Sequence, residues 1–142
     1  MTDAFSPILE RAVLDQIRTV LAARSLPLAA FDAALDEIEA CEGDLEDAAI
    51  AIAIRCGQLP DREGWLEGLA KRSRGRICTT APLREALGNG DWGTVFALLD
   101  DRPLACPEPL VLPVLLWVAQ LGIGTYCAPL DQARPTDPSL EA

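Results

Sequence analysis

Residues 110–121 read Leu-Val-Leu-Pro-Val-Leu-Leu-Trp-Val-Ala-Gln-Leu, the longest apolar run in the sequence. A run that is apolar on every side is typical of a helix buried all round. A membrane-spanning helix needs about 20 apolar residues, and Pro113 and Gln120 interrupt even this shorter run. We therefore expect a buried core helix that begins near Pro107 or Pro109.

Several shorter segments upstream of this run place apolar residues at helical spacing. Ser6 is a suitable N-cap with Pro7 at the first helical position, where the missing N–H costs nothing. Asp44 can cap a later helix in the same way. The predicted helices run from Pro7 to near Arg24 and over Leu28–Cys41, Leu45–Cys56, Pro60–Ser73, Pro82–Leu87 and Trp92–Leu99.

The segment from Ala48 to Ile54 alternates Ala and Ile, a pattern that also fits a buried strand. We favour a helix, because the cap at Asp44 and the neighbouring helices agree and no second strand is available to pair with it. The sequence therefore predicts an all-α fold with no sheet. We expect a single compact domain of six or seven short helices with bundle-like or helical-repeat-like packing.

The segment Leu83–Arg102 joins two of these helices through Gly88-Asn89-Gly90, which is a turn signal. Its apolar pattern is similar to that of helical-repeat proteins, in which one hairpin stacks on the next. The turn Gly43-Asp44-Leu45-Glu46 resembles the corresponding turn of ubiquitin-associated three-helix modules. One hairpin and one turn cover too little of the chain to assign a family.

The C-terminal part of the chain differs in composition from the rest. Gly122 and Gly124 are expected to end the apolar helix. From Ala128 onward, three prolines lie among polar residues, and there is little apolar content to bury. We therefore expect a helical domain over residues 1–127 and a mobile, acidic, Pro-containing tail over residues 128–142.

The net charge of −10, from 22 acids and 12 bases, is unevenly spread along the chain. Residues 61–90 hold six bases and four acids, so that the basic side chains concentrate in the middle of an otherwise acidic protein. A strongly acidic chain is repelled by nucleic acid and by anionic membranes. The expected partners therefore include neither nucleic acid nor a membrane.

The five cysteines, at positions 41, 56, 78, 106 and 127, are odd in number and form no CxxC pair. This spacing predicts neither a zinc site nor a disulfide framework.

The segment Met1–Ile8 contains Asp3 and lacks the basic and apolar regions of a secretory signal. We therefore expect a cytoplasmic protein that needs no cofactor.

Histidine is absent, which removes the commonest general base, the Ser-His and Cys-His nucleophile systems and histidine metal ligation. Asp32 and Asp36, one helical turn apart, could share a cation or a proton, but such pairs are also typical of a solvated helix face. Cys78 follows Arg74 and Arg76, whose charges would lower the pKa of a thiol in an exposed loop. Isolated cysteines are more often buried apolar residues, and we predict neither catalytic residues nor a metal site.

Two features favour a binding role. Lys71, Arg72, Arg74 and Arg76, hereafter the basic cluster, place four positive charges within six positions. They could dock a phosphate, an acidic peptide or the acidic face of another protein; alternatively, they cap a helix C-terminus and neutralise the protein's own acidic second helix. The three tryptophans are more often core residues, but Trp92 begins a helix after a turn, so of the three we expect it to be the one that is partly exposed and available to an interface.

The sequence therefore predicts a non-catalytic protein–protein interaction module, such as an adaptor, assembly factor or regulator. It would bind an acidic surface or segment of another protein through the basic cluster and Trp92. One alternative is a carrier of a small apolar ligand, with the helix over residues 110–121 as a pocket wall. Another alternative is an enzyme that uses either carboxylate chemistry or the thiol of Cys78.

Overall fold

The computed structural model describes residues 8–24, 29–58, 60, 64–101, 104 and 106–133. Within these ranges the chain is 81% helical and forms no strand, as the all-α prediction requires. The number of helices was predicted wrongly, because residues 74–79 and 123–133 are also helical. The nine helices of the described ranges are α1 (Arg11–Ala22), α2 (Ala29–Ala40), α3 (Leu45–Arg55), α4 (Trp65–Arg72), α5 (Arg74–Thr79), α6 (Ala81–Asn89), α7 (Trp92–Asp101), α8 (Glu108–Leu121) and α9 (Ile123–Ala133).

Helix α8 forms the centre of the fold. Every residue from Leu110 to Val118 is buried, and α8 packs against α2, α3, α4, α6 and α9. A helix that is apolar all round is stable only when other helices surround it in this way. The predicted buried core helix is therefore confirmed. Pro113 lies inside α8, which leaves the carbonyl one turn earlier without its usual helical donor.

The chain before α1 is extended, contrary to the prediction of a helix from Pro7. The Leu9 N–H donates to the Gly43 carbonyl at 2.7 Å, and Gln120 Nε2 donates to the Ile8 carbonyl, also at 2.7 Å. Gly43 has φ +87°, and a Cβ there would lie 2.5 Å from the Leu9 carbonyl oxygen. Ile8 and Leu9 thus lie against the α2–α3 turn and cannot be helical, while the predicted cap at Ser6 lies outside the described residues.

Helix α3 begins where its cap was predicted. The Asp47 N–H donates to Asp44 Oδ1 at 3.0 Å, which satisfies one of the donors left free at the start of a helix. The alternating Ala and Ile residues that follow are helical, and most of them are buried. The alternative of a buried strand is therefore wrong.

Helix α4 is capped by a side chain from another helix. The backbone N–H groups of Trp65 and Leu66 donate to the two carboxylate oxygens of Glu46 at 3.0 and 3.2 Å. Glu46 belongs to α3, so this interaction joins the two helices and also favours the positive end of the α4 dipole. In the described residues α4 begins at Trp65, where this cap lies, and residues 61–63 of the helix predicted from Pro60 lie outside the described ranges.

Replacing Glu46 by alanine is expected to lower the free energy of unfolding by about 1–3 kcal/mol, because two partly buried N–H donors lose a charged acceptor. Urea denaturation followed by circular dichroism measures the change. The control is Asp47→Ala, which removes another acid from the first turn of α3 and should cost at most about 1 kcal/mol. Equal losses in the two variants would show that Glu46 acts only through the α3 dipole.

The C-terminal helix α9 was not predicted. Gly122, with φ +100°, separates it from α8, and the axes of the two helices differ by 87°. Tyr126 and Cys127 of α9 are fully buried. The mobile tail expected from Ala128 is helical as far as Ala133, and residues 134–142 lie outside the described residues.

No single helix in the described ranges has the length and apolar composition needed to cross a membrane. Helices α8 and α9 meet that test only when they are taken together, and the chain is sharply bent between them.

Candidate functional site

The basic cluster lies at the joint between α4 and α5. Lys71 and Arg72 are exposed in the last turn of α4, where positive charge stabilises the helix dipole. Lys71 Nζ also lies 3.0 Å from Glu67 Oε2 one turn earlier, an exposed pair that contributes little to stability. Arg74 and Arg76 follow in α5 and are half-buried.

Arg74 is turned toward the interior of the protein. Its Nε donates to the Tyr126 carbonyl at 2.8 Å, and its guanidinium carbon lies 5.2 Å from the centre of the Tyr126 ring. The Tyr126 hydroxyl in turn donates to the Ala70 carbonyl at 2.6 Å. Burial raises the pKa of Tyr126 well above its usual value, with the charge of Arg74 acting in the opposite direction. Arg74 therefore fastens α9 to the α4–α5 joint.

Three of the four acids of α2 form ion pairs with arginines outside the basic cluster. Arg18 Nη2 lies 3.0 Å from Asp36 Oδ1 and 2.9 Å from Glu39 Oε1. Arg55 Nη2 lies 2.7 Å from Glu37 Oε1. The pKa of Glu39 is lowered mainly by its hydrogen bond from Arg18. These contacts therefore do not support the alternative interpretation, in which the basic cluster neutralises the acidic second helix.

Trp92 is buried, contrary to the expectation that it is partly exposed. Only 4% of its surface is accessible, and its ring centroid lies 5.9 Å from that of Phe96, which itself lies 5.4 Å from Phe31. Asp91 caps α7 by accepting from the Thr94 N–H, so the helix begins with its first side chain facing the core. Helix α7 packs on α1 and α6, and its Trp92 does not share an exposed surface with the basic cluster.

Cys78 was predicted to lie in an exposed loop, and it is instead a buried residue of α5 bonded to Cys127 of α9. The prediction that the cysteines form no disulfide is therefore wrong for this pair. The two residues are 49 positions apart, a separation that no short cysteine motif indicates. Cys41, Cys56 and Cys106 are free thiols. The bond fastens α9 to α5, beside the contact between Arg74 and Tyr126.

A cavity of about 310 Å³ lies between α2, the end of α7 and the start of α8. We call it the Cys106 pocket. Its volume is at the lower end of the range for small-molecule sites, about 300–1,000 Å³. Its described lining residues are Phe31, Leu99, Asp100, Leu104, Cys106, Glu108 and Val111.

The polar groups of the Cys106 pocket differ in their surroundings. Burial raises the pKa of the Cys106 thiol to about 11. The positive charge of Arg72, which is not among the described lining residues, acts in the opposite direction and lowers this pKa. The thiol is therefore protonated and unreactive near neutral pH. Asp100 is exposed and paired with Arg24. Glu108, in the first turn of α8, is also exposed.

Within the described ranges, no group of three or more cysteine or acidic side chains is placed to hold a metal ion. Asp32 and Asp36, the predicted carboxylate pair, are both exposed on α2. Comparisons of the chain with family models, with curated proteins and with solved structures found no match.

Proposed function

We propose that this protein is a non-catalytic interaction module, acting as an adaptor, assembly factor or regulator, that binds an acidic surface or segment of another protein. The observation that supports the proposal is the exposure of Lys71 and Arg72 side by side at the end of α4. These side chains present positive charge on a protein of net charge −10. Arginine and lysine in such a position attract carboxylates and fix their register.

The predicted contact residues differ in burial, and we propose a different role for the exposed ones than for the buried ones. Lys71 and Arg72 supply the contact surface, with Arg76 half-buried beside them in α5. Arg74 instead supports the fold beneath this surface through its contacts with Tyr126, and Trp92 is part of the core.

We propose a cytoplasmic location, supported by the free thiols of Cys41, Cys56 and Cys106. A disulfide is unusual there, but both sulfurs of the Cys78–Cys127 bond are buried and shielded from reductants.

The test is an affinity capture from native lysate with the wild type and with the Lys71→Ser/Arg72→Ser variant, measured by quantitative mass spectrometry. A partner held by this surface should be enriched at least about tenfold less by the variant, a loss of about 1.4 kcal/mol in binding. The control is Arg11→Ser/Arg55→Ser, which removes the same charge from two other exposed arginines. These lie in ion pairs that contribute little to stability.

The comparison of the two variants decides the proposal. Equal loss of a partner in both would mean that net charge and not this surface governs binding. Equal retention in both would place the partner site elsewhere. Circular dichroism and thermal unfolding of each variant show whether the fold is kept, which separates a lost contact from a lost structure.

A second candidate function is the carriage of a small ligand, and the Cys106 pocket is the observation that favours it. Phe31, Leu99, Leu104 and Val111 give it an apolar wall, and Val111 belongs to α8, the helix expected to form such a wall. Pockets between helices that combine apolar walls with a few polar groups are common ligand sites.

A further inference from the structure

Helix α9 is fastened to the rest of the protein at few points. Among its described side chains only those of Tyr126 and Cys127 are fully buried, and the others are half-buried or exposed. A helix of 11 residues is marginal in water by itself, and Pro129 removes one of its hydrogen bonds. Helix α9 therefore owes its position to its contacts with α5, α6 and α8, one of which is the covalent bond from Cys127 to Cys78.

The orientation of Arg74 depends on α9. Its Nε donates to the carbonyl of Tyr126, and its guanidinium lies against the Tyr126 ring, so both contacts are made by the residue next to Cys127. These contacts hold Arg74 toward the interior, whereas Arg72, two positions earlier, is exposed. If Tyr126 moves away, the guanidinium loses both contacts, and water is the more favourable surrounding for a charge without a partner. Arg74 then joins Lys71 and Arg72 at the surface.

The disulfide decides whether Tyr126 can move. While the bond is intact, the Cα atoms of the two bonded residues stay 5.7 Å apart, and the chain itself holds Tyr126 beside Arg74. Once the bond is broken, α9 is retained by non-covalent contacts, chiefly the burial of Tyr126 and the solvent-exposed, weak ion pair between Arg84 and Asp131. Elements with few buried apolar contacts open at a low cost in free energy. Reduction therefore converts a fixed helix into one that can detach.

We propose that the Cys78–Cys127 bond is a redox switch for the interaction surface: reduction releases α9, Arg74 turns outward to complete the basic cluster, and an acidic segment binds more tightly. The inference rests on the proposed function, the binding of an acidic surface or segment of another protein, and names the regulation of that same surface.

The reductant is a dithiol, whether a small molecule or a protein with two neighbouring cysteines. One of its thiolates attacks a sulfur of the bond and forms a mixed disulfide, and its second thiolate then displaces that sulfur. The dithiol ends as a disulfide, and Cys78 and Cys127 each take up one of its protons and become thiols. Because both sulfurs are buried, the attack occurs during local openings of the protein and is slower than at an exposed bond.

The test measures, by fluorescence anisotropy, the affinity of a fluorescein-labelled octaglutamate peptide for three forms of the full-length chain. These are the oxidised protein, the folded protein kept in excess dithiothreitol until mass spectrometry shows five alkylated cysteines, and the Cys78→Ala/Cys127→Ala variant without reductant. The second and third forms are expected to bind at least about fivefold more tightly than the first, because one more arginine reaches the carboxylates. Amide hydrogen exchange over residues 123–133 should be at least about tenfold faster in both.

Two arginine substitutions test the role assigned to Arg74. Arg74→Gln should bind the peptide with similar affinity before and after reduction, because the side chain that reduction frees is gone. The matched control is Arg84→Gln, which removes the same charge from another arginine that contacts α9 and should keep the fivefold gain. Lys71→Ser/Arg72→Ser should weaken binding in both redox states. Circular dichroism of each form shows whether the rest of the fold is kept.

The outcomes separate the switch from the binding function. If the peptide binds the oxidised and reduced forms with equal affinity, or if Arg74→Gln keeps the gain, the redox switch is wrong and the proposed function stands. The switch is also wrong if the bond survives excess dithiol in the folded protein or if its reduction unfolds the whole chain. If the peptide binds neither form of the folded protein, the proposed function is wrong and the switch with it. Should Arg74→Gln fail to fold, the affinities and exchange rates of the wild type in its two redox states still decide the inference.

Discussion

Replacing Cys78 and Cys127 together by alanine is expected to lower the free energy of unfolding by about 4 kcal/mol. The bond joins residues 49 positions apart, so its loss lets a long segment of the unfolded chain regain its conformational freedom. Alanine keeps the site apolar, as the burial of both residues requires. Urea denaturation of the variant and the wild type, monitored by circular dichroism, measures the difference.

The matched control for the disulfide is Cys56→Ala, which removes an exposed free thiol and should change stability by less than about 0.5 kcal/mol. Urea denaturation of the wild type in the presence of a dithiol reductant should reproduce most of the loss seen in the double variant, because unfolding exposes the buried bond to the reductant. An unchanged denaturation midpoint in the double variant would show that Cys78 and Cys127 do not cross-link the folded protein in solution. Mass spectrometry of the alkylated, unreduced protein gives the number of free thiols independently.

Trp92→Ala is expected to lower the free energy of unfolding by about 3–5 kcal/mol, the usual cost of removing a large buried aromatic side chain. The Trp92 ring packs beside Phe96, which is itself in edge contact with Phe31 of α2. The substitution leaves a cavity where α7 meets the rest of the core and removes an aromatic contact. Urea denaturation measures the loss, and tryptophan fluorescence during unfolding should lose the contribution of this residue.

The comparison variant for Trp92 is Trp65→Ala. The Trp65 ring is only half-buried, and the hydrogen bond from its backbone N–H to Glu46 does not depend on the side chain. We therefore expect a smaller loss, about 1–2 kcal/mol, in proportion to the apolar surface that is removed from contact. If Trp92→Ala instead kept its full stability and lost only a binding partner, Trp92 would belong to an interface as the sequence predicted.

The parts of the fold that the sequence predicts correctly are those with a local cause. The apolar run of α8 is hydrophobic on all sides, which indicates burial whatever surrounds it. Asp44 caps α3 by accepting a hydrogen bond from the N–H of Asp47, only three positions later in the chain. The turn at Gly90, with φ +68°, ends α6 because glycine adopts this conformation without strain. Each of these features depends on residues within about three helical turns of one another.

The parts that the sequence does not predict depend on distant contacts. Helix α5 contains Gly75 and only six residues, so it has little intrinsic helical stability, and its bond to Cys127 holds it in place. Helix α9 contains Pro129, which normally weakens a helix, and burial of Tyr126 offsets that cost. Neither contact leaves a pattern in the sequence near the helix that it stabilises.

The candidate sites divide in the same way. The basic cluster is visible as a concentration of charge, but its division into the exposed Lys71 and Arg72 and the inward-facing Arg74 follows from the packing of α9. The Cys106 pocket could not be predicted, because its walls come from residues as far apart as Phe31 and Val111. The sequence predicted only that α8 could form one wall of a pocket.

The central position of α8 has a consequence for synthesis on the ribosome. Helices α2, α3, α4 and α6 all precede α8 in the chain and all pack against it. Their apolar faces have no central helix to cover them until residue 121 has emerged, although translation delivers the N-terminal part first, at about 5–20 residues per second. The nascent chain therefore spends several seconds with uncovered apolar surface, which a chaperone must shield or which must be buried in temporary, non-native contacts.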